Sequence, residues 1–146
     1  MPGKYLLEDI RTYPDFDNHK SIHIFADRKT NLLAIVAIHN DDLGPALGGT
    51  RLKSYISFKE ALIDALRLSA AMTRKAAIAE LKYGGGKAVI ICDPKDKNPV
   101  LLQSFAEKIN TLKGQFITAG DMNIDVNDIE IMAQVTPYIG GRARFC

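Results

Sequence analysis

Three ionisable side chains stand at loop positions beside the strands of a predicted sheet. Lys75 lies near the end of a long predicted helix, Lys87 at the start of a buried strand, and Asp121 just beyond another strand. A lysine held against apolar strands is partly desolvated, which favours proton exchange near neutral pH. A second lysine can hold a carboxylate, and an aspartate can pair with an ammonium group. The trio suits a small zwitterion such as an α-amino acid, although the spacing alone is more typical of surface lysines and a loop acid.

The glycine run before Lys87 has to be distinguished from a phosphate loop. Residues 84–87 read Gly-Gly-Gly-Lys, whereas a phosphate loop requires GxxxxGK followed by Ser or Thr at the start of a helix. Here Ala88 follows the lysine, and a predicted strand follows that. No GxGxxG comes after a predicted strand either, so no dinucleotide site is predicted. The run instead lets a ligand approach the backbone closely, because no side chain intervenes.

Apolar runs mark the strands that would position these residues. Segments 21–27 and 32–39 flank a polar turn. The first alternates and the second is nearly continuous, which predicts an antiparallel hairpin with one buried strand. Further strands are predicted at residues 48–52, 88–91 and 115–118.

Three predicted helices alternate with the strands. A capping-box signature, Ser57 with Glu60, begins the first. Its predicted apolar face comprises Phe58, Leu62, Ala65, Ser69 and Met72, opposite a solvated face of Glu60, Asp64 and Arg67. The second runs from an Asn-Pro pair at 98–99 to Lys113, and the third begins at Asp125. The alternation predicts an α/β domain in which helices flank a mixed sheet.

The composition narrows the class of protein. A chain of 146 residues fits one domain. With a net charge of +2 and interspersed charges, no nucleic-acid partner is expected. No apolar run reaches the roughly 18 residues of a membrane span, so we expect a cytoplasmic protein without a membrane partner. The two cysteines and three histidines have no metal-ligand spacing, and Cys92 is predicted to be a reduced core residue.

Five short motifs occur in one order and together are specific for a known family. They are Leu-Gly-Gly-Thr-Arg at 47–51, Ala-Leu-Arg-Leu at 65–68, Met-Thr-Arg-Lys at 72–75, Gly-Gly-Gly-Lys at 84–87 and Thr-Ala-Gly-Asp-Met at 118–122. The sequence resembles the N-terminal, substrate-binding domain of the glutamate/leucine/phenylalanine/valine dehydrogenases, most closely the leucine dehydrogenase branch. The twelve-residue step from Lys75 to Lys87 matches the family's spacing between its active-site lysines.

The resemblance implies a role for each residue of the site. Lys87 matches the catalytic lysine that activates water and polarises the substrate's carbon–nitrogen centre. Asp121 matches the aspartate that works with that lysine in proton transfer. Lys75 matches the lysine that binds the substrate carboxylate, assisted by backbone groups at Gly48 and Gly49.

The resemblance also implies a pocket for the substrate side chain. The sequence departs from the family pattern at two positions. Leu47 and Ala119 fall where the family lines its pocket, and core packing is the other interpretation for both. A small apolar lining suits branched aliphatic substrates and gives an acidic side chain no partner. Gly120 replaces a glutamate or another larger residue, and Ile124 replaces a threonine.

The reaction that the resemblance implies is reversible oxidative deamination of an L-amino acid to a 2-oxo acid and ammonia, with hydride passing to NAD. The resemblance also implies a homo-oligomer. It implies an active site in a cleft between this domain and a Rossmann domain that is absent from this chain. Residues 1–141 are predicted to form the substrate-binding domain, followed by an atypical tail at 142–146. We therefore expect the chain alone not to turn over amino acids. A stand-alone, non-catalytic amino-acid-binding or assembly module is the alternative.

Overall fold

The computed structural model describes residues 9–141 as five strands and three helices. In chain order they are β1 (Ser21–Asp27), β2 (Leu32–Asn40), β3 (Ala46–Lys53), α1 (Phe58–Ile78), β4 (Gly84–Ile91), α2 (Pro99–Thr111), β5 (Phe116–Gly120) and α3 (Val126–Ala133). Two short 3₁₀ turns lie at Ile10–Thr12 and Pro94–Asp96. The predicted tail at 142–146, which includes Cys146, lies outside the described residues.

The five strands form one mixed sheet in the order β1-β2-β4-β3-β5. β1 pairs antiparallel with β2, and β2 pairs antiparallel with β4. β3 is parallel to both β4 and β5. The predicted hairpin and the predicted α/β class with a mixed sheet are confirmed.

Helices cover both faces of the sheet because β2 and β4 are apolar on both sides. Ile35 and Val89 point to one face, where α1 packs with buried residues such as Leu66. Val36 and Ile90 point to the other face. There the buried side chains of α2 and α3 include Leu102, Phe105, Ile109, Ile129 and Met132.

Side-chain caps begin all three helices where the sequence predicts them. Ser57 accepts a hydrogen bond from the amide of Glu60, and Asn98 caps α2 with Pro99 in its first turn. Asp125 and Asp128 form a complete capping box on α3. α2 ends at Thr111, two residues earlier than predicted, because Lys113 adopts a left-handed φ of 53°. Among residues 9–141, no helix is long and apolar enough to cross a membrane.

The glycine run lies inside β4 rather than before it, which corrects the predicted start of that strand. β4 begins at Gly84, so Lys87 stands in the middle of a strand and not at its start. Each glycine is in close contact with a neighbouring element. A Cβ on Gly85 would lie 2.7 Å from the carbonyl carbon of Met72 in α1, and a Cβ on Gly86 would lie 2.8 Å from the ring of Phe116. The run therefore brings β4 against α1 and β5.

Candidate functional site

A cavity of about 330 Å³ opens on the face of the sheet that carries α1. α1 lies over β2 and β4 and leaves β3 and β5 largely uncovered on this face. The lining residues are Leu47, Gly48, Gly49, Met72, Ile117, Thr118, Ala119, Gly120 and Gly140. Four residues predicted to contact substrate, Leu47, Gly48, Gly49 and Ala119, thus share one cavity. Its lining is mostly apolar and has no charged side chain.

Lys75 lines a smaller, adjoining cavity of about 120 Å³. The two cavities share Leu47 and Met72, so they lie side by side at the end of α1. Lys75 is exposed in the last turn of that helix, as the sequence predicts. Lys75 therefore stands at the margin of the apolar space.

Lys87 and Asp121 form a close ion pair beside the larger cavity. The Nζ of Lys87 lies 3.0 Å from Oδ2 of Asp121. Lys87 is only 6% exposed, which is rare for a lysine and requires a paired charge. Asp121 directly follows β5, where its side chain reaches across β3 to the central strand.

Two glycines of β3 allow this approach. A Cβ on Gly49 would lie 3.0 Å from the Cβ of Asp121 and 2.8 Å from the carbonyl oxygen of Gly120. A Cβ on Gly48 would overlap the backbone of Gly86, immediately before Lys87. Larger residues would push the neighbouring strands apart. The two glycines thus join the cavity wall to the ion pair.

A tight turn after β5 orients Asp121. The amide of Ile124 donates to the carbonyl of Asp121, and Asn123 adopts a left-handed φ of 62°. The side-chain amide of Asn123 also donates to the carbonyl of Leu52 in β3. The two departures from the family pattern meet in this turn, since a Cβ on Gly120 would lie 2.7 Å from the carbonyl oxygen of Ile124.

A chain of charges with alternating sign extends from the ion pair to the surface of α1. It consists of Lys87, Asp121, Arg51, Asp64 and Arg67. Arg51 Nε donates to Oδ2 of Asp121 at 2.8 Å, and an Nη lies 3.3 Å from Asp64. Burial alone would raise the pKa of Asp121, but hydrogen bonds from Arg51 and Lys87 outweigh it and hold that pKa below its usual range. Asp121 is therefore a carboxylate at neutral pH.

Two histidines from segments outside α1 form hydrogen bonds with this helix. His39 Nδ1 lies 2.7 Å from the hydroxyl of Thr73, and its Nε2 lies 2.9 Å from Asp17. His19 Nε2 lies 2.9 Å from both the carbonyl of Leu66 and the hydroxyl of Ser69. Burial lowers the pKa of His19. These bonds hold the part of α1 that leads to Lys75.

Met72 and Arg51 belong to the site although the sequence analysis gave them no role in it. Met72 was assigned to the apolar face of α1, yet it lines both cavities. Arg51 is two residues beyond Gly49 on a strand, so both point to the same face. Asp64 was predicted to be solvated, but only 12% of its side chain is exposed, because Tyr55 and two arginines bind it. The alternation of side chains along a strand could therefore have indicated from the sequence that Arg51 belongs to the site.

The surroundings of the glycine run at residues 84–86 differ from those of a phosphate loop. Phosphate binding by a glycine run needs free backbone amides at the start of a helix. Here the space above Gly84–Gly86 is filled by Asn40, Thr73 and Phe116. Within residues 9–141, no group of three or more His, Cys, Asp or Glu is placed to hold a metal ion. Cys92 is free and partly buried just after β4, and burial raises the pKa of its thiol.

Comparison with known proteins identifies relatives over most of the chain. Residues 19–138 match the family described as Glu/Leu/Phe/Val dehydrogenase, dimerisation domain. The chain is 47% identical over 130 residues to a leucine dehydrogenase of Geobacillus stearothermophilus, covering 88% of this chain and 35% of that protein. It is 47% identical over 125 residues to a phenylalanine dehydrogenase of Lysinibacillus sphaericus, covering 85% and 33%. The chain therefore spans about a third of the length of these relatives.

Solved structures show the same fold. The L-tryptophan dehydrogenase of Nostoc punctiforme superposes with a TM-score of 0.82 at 44% identity, over 83% of this chain and 36% of that chain. A hetero-hexameric glutamate dehydrogenase of Thermus thermophilus superposes with a TM-score of 0.74 at 21% identity, over 87% and 35%. The second likeness concerns the fold alone.

Proposed function

Because this chain belongs to the Glu/Leu/Phe/Val dehydrogenase dimerisation-domain family, we propose that it is the substrate-binding part of an amino-acid dehydrogenase. The reaction is the reversible oxidative deamination of a branched-chain L-amino acid to its 2-oxo acid and ammonia. The observation that carries the proposal is the buried Lys87–Asp121 pair beside an apolar cavity whose margin carries Lys75.

The two lysines and the aspartate take separate roles in this proposal. Lys75 is exposed and binds the substrate carboxylate, assisted by backbone groups of Gly48 and Gly49, which line the adjoining larger cavity. Asp121 is ionised at neutral pH and pairs with the substrate ammonium. As an ammonium, Lys87 polarises the carbon–nitrogen centre. Its Nζ lies 3.0 Å from Asp121, so its proton can pass to that carboxylate, and the neutral amine then accepts a proton from the attacking water.

The lining of the larger cavity determines which class of substrate side chain it favours. Leu47 and Ala119 line it together with Ile117 and Met72, and no charged residue is among the lining residues. An aliphatic side chain gains by leaving water here, whereas a second carboxylate would lose its hydration without a partner. We therefore propose a branched aliphatic substrate.

The hydride acceptor in the proposed reaction is NAD, held by a nucleotide-binding domain that residues 9–141 do not form. We therefore expect this chain, mixed with L-leucine and NAD, to produce no NADH. Absorbance at 340 nm measures this directly, and sustained NADH formation by the purified chain would contradict the expectation.

A homo-oligomer is also proposed. β1 is an edge strand of the sheet, and its outer backbone groups have no partner strand among the described residues. Such an edge favours pairing with another copy of the chain. The family description as a dimerisation domain supports the same assembly.

Substrate binding is tested by NMR titration of the ¹⁵N-labelled chain with L-leucine. We expect shifts at residues lining the cavity, and Lys75→Ala should weaken binding about 10- to 100-fold, because one charge-assisted contact to a carboxylate is worth roughly 1.5–3 kcal/mol. Lys82→Ala is the matched control, since Lys82 is an exposed lysine in the loop between α1 and β4. Its affinity should equal that of the wild type.

The outcomes of this titration distinguish the substrate-binding part of a dehydrogenase from a stand-alone assembly module. Binding that is lost in the Lys75 variant and kept in the Lys82 variant supports a retained amino-acid site. Equal affinity in both variants would contradict the carboxylate role of Lys75. If high concentrations of L-leucine shift no resonance of the residues that line the cavity, the assembly module is favoured instead.

A further inference from the structure

Arg51 contacts Asp121 at the same oxygen that Lys87 contacts. Its Nε donates to Oδ2 at 2.8 Å, and the Nζ of Lys87 lies 3.0 Å from that atom. The Arg51 side chain is 18% exposed, so most of it is removed from water. It is not among the residues that line either cavity.

We infer that Arg51 is a positioning residue for Asp121: its guanidinium fixes Oδ2 against the Lys87 ammonium and leaves Oδ1 to meet the substrate nitrogen. The identity of that nitrogen rests on the proposed function. The contact between Arg51 and Asp121 does not.

The planar guanidinium explains why an arginine stands here. It binds two carboxylates at once, Asp121 through Nε and Asp64 through an Nη at 3.3 Å. A lysine has one nitrogen on a flexible stem and cannot hold both in a fixed geometry. Asp64 belongs to α1, the helix that also carries Lys75. Arg51 therefore sets the orientation of Asp121 relative to the helix that presents the carboxylate-binding lysine.

Four charged or titratable groups bear on the Asp121 carboxylate. Lys87 faces it from β4, and Arg51 faces it from β3. Asp64 in α1 and Tyr55, in the segment before α1, stand behind Arg51 and bond to each other at 2.6 Å. Loss of the Arg51 charge would leave Asp121 with one cation instead of two and would expose it to the negative charge of Asp64. Asp121 would then take up a proton at a higher pH.

The test is a ¹³C NMR titration of the Asp121 side-chain carboxyl, assigned by comparison with Asp121→Asn. In Arg51→Gln the midpoint should move to higher pH, and Arg51→Lys should restore part of the shift by returning the charge. The control is Arg67→Gln, because Arg67 binds Asp64 at 2.7 Å and does not contact Asp121. Its midpoint should match the wild type. An unchanged midpoint in Arg51→Gln, or an equal change in Arg67→Gln, would overturn the inference.

A second measurement needs no variant and therefore does not depend on how a variant folds. In the wild-type chain, the Arg51 Nε–H resonance should shift with the same midpoint as the Asp121 carboxyl, because the two are hydrogen-bonded. A resonance that does not respond to that titration would refute the contact. Both measurements are made without an amino acid present. A failure of L-leucine to bind would thus count against the proposed function alone.

Discussion

The substitution Gly85→Ala probes the contact that sets the distance between α1 and β4. A Cβ at this position would lie 2.7 Å from the carbonyl carbon of Met72 and closer still to the amide nitrogen of Thr73. Ordinary van der Waals contact begins at 3.4 Å, so α1 would have to retreat by about 0.7 Å or more. Both atoms are backbone atoms of a packed helix and cannot rotate away. The helix therefore has to move as a unit or distort.

The expected cost follows from two opposing effects. Overpacking of a well-packed interior costs about 1–3 kcal/mol, whereas replacing glycine by alanine gains about 0.4–1 kcal/mol by restricting the unfolded chain. A clash with backbone belongs in the upper part of the first range, so the free energy of unfolding should fall by about 1–2 kcal/mol.

Urea denaturation followed by far-UV circular dichroism measures this change, since the chain contains no tryptophan. The control is Gly140→Ala, whose Cβ would find its nearest atom, the carbonyl oxygen of Thr118, at 3.7 Å. It should change stability by less than about 0.5 kcal/mol. Equal stability of the two variants would refute the close contact between Gly85 and α1. Amide shifts concentrated at residues 72–75 in Gly85→Ala would report that the site moves with the helix.

Two further predictions concern buried polar groups. Because burial lowers the pKa of His19, the stability that its neutral ring contributes is complete above about pH 6.5 and is lost as the pH falls below that value. His19→Gln should therefore flatten the decline in the free energy of unfolding between pH 7 and pH 5, and an unchanged slope would contradict this. Thr118→Val removes a buried hydroxyl that lies 2.7 Å from Thr50 Oγ1 and 2.8 Å from the carbonyl oxygen of Gly48, so stability should fall by about 1–3 kcal/mol. A loss below about 0.5 kcal/mol in urea denaturation would show that these bonds contribute little.

Local signals predicted the elements well because each depends on residues close in sequence. The hairpin of β1 and β2 follows from alternation and a polar turn, and the caps at Ser57 and Asp125 follow from side chains that bind amides three residues on. The ordered motifs predicted the family, which the comparisons confirm. The roles assigned to Lys75, Lys87 and Asp121 stay predictions.

Contacts between distant segments decided the rest. The insertion of β3 between β4 and β5 has no local signal, because strand order depends on which faces are buried together. The glycine run was expected to lie outside the strand, yet tertiary contacts with α1 and β2 place it within β4. Asp64 follows a helical pattern typical of a solvated face. Its burial results from Arg51 in β3 and from Tyr55 in the segment before the helix, both of which bind it.

The most direct test of the central claim is a crystal structure of the chain soaked with L-leucine. We predict that the carboxylate lies within hydrogen-bonding distance of Lys75 Nζ, with the amino nitrogen near Asp121 and Lys87 and the side chain in the cavity beside Leu47 and Ala119. An L-leucine bound outside this cavity, with its carboxylate on other cationic groups, would contradict the account.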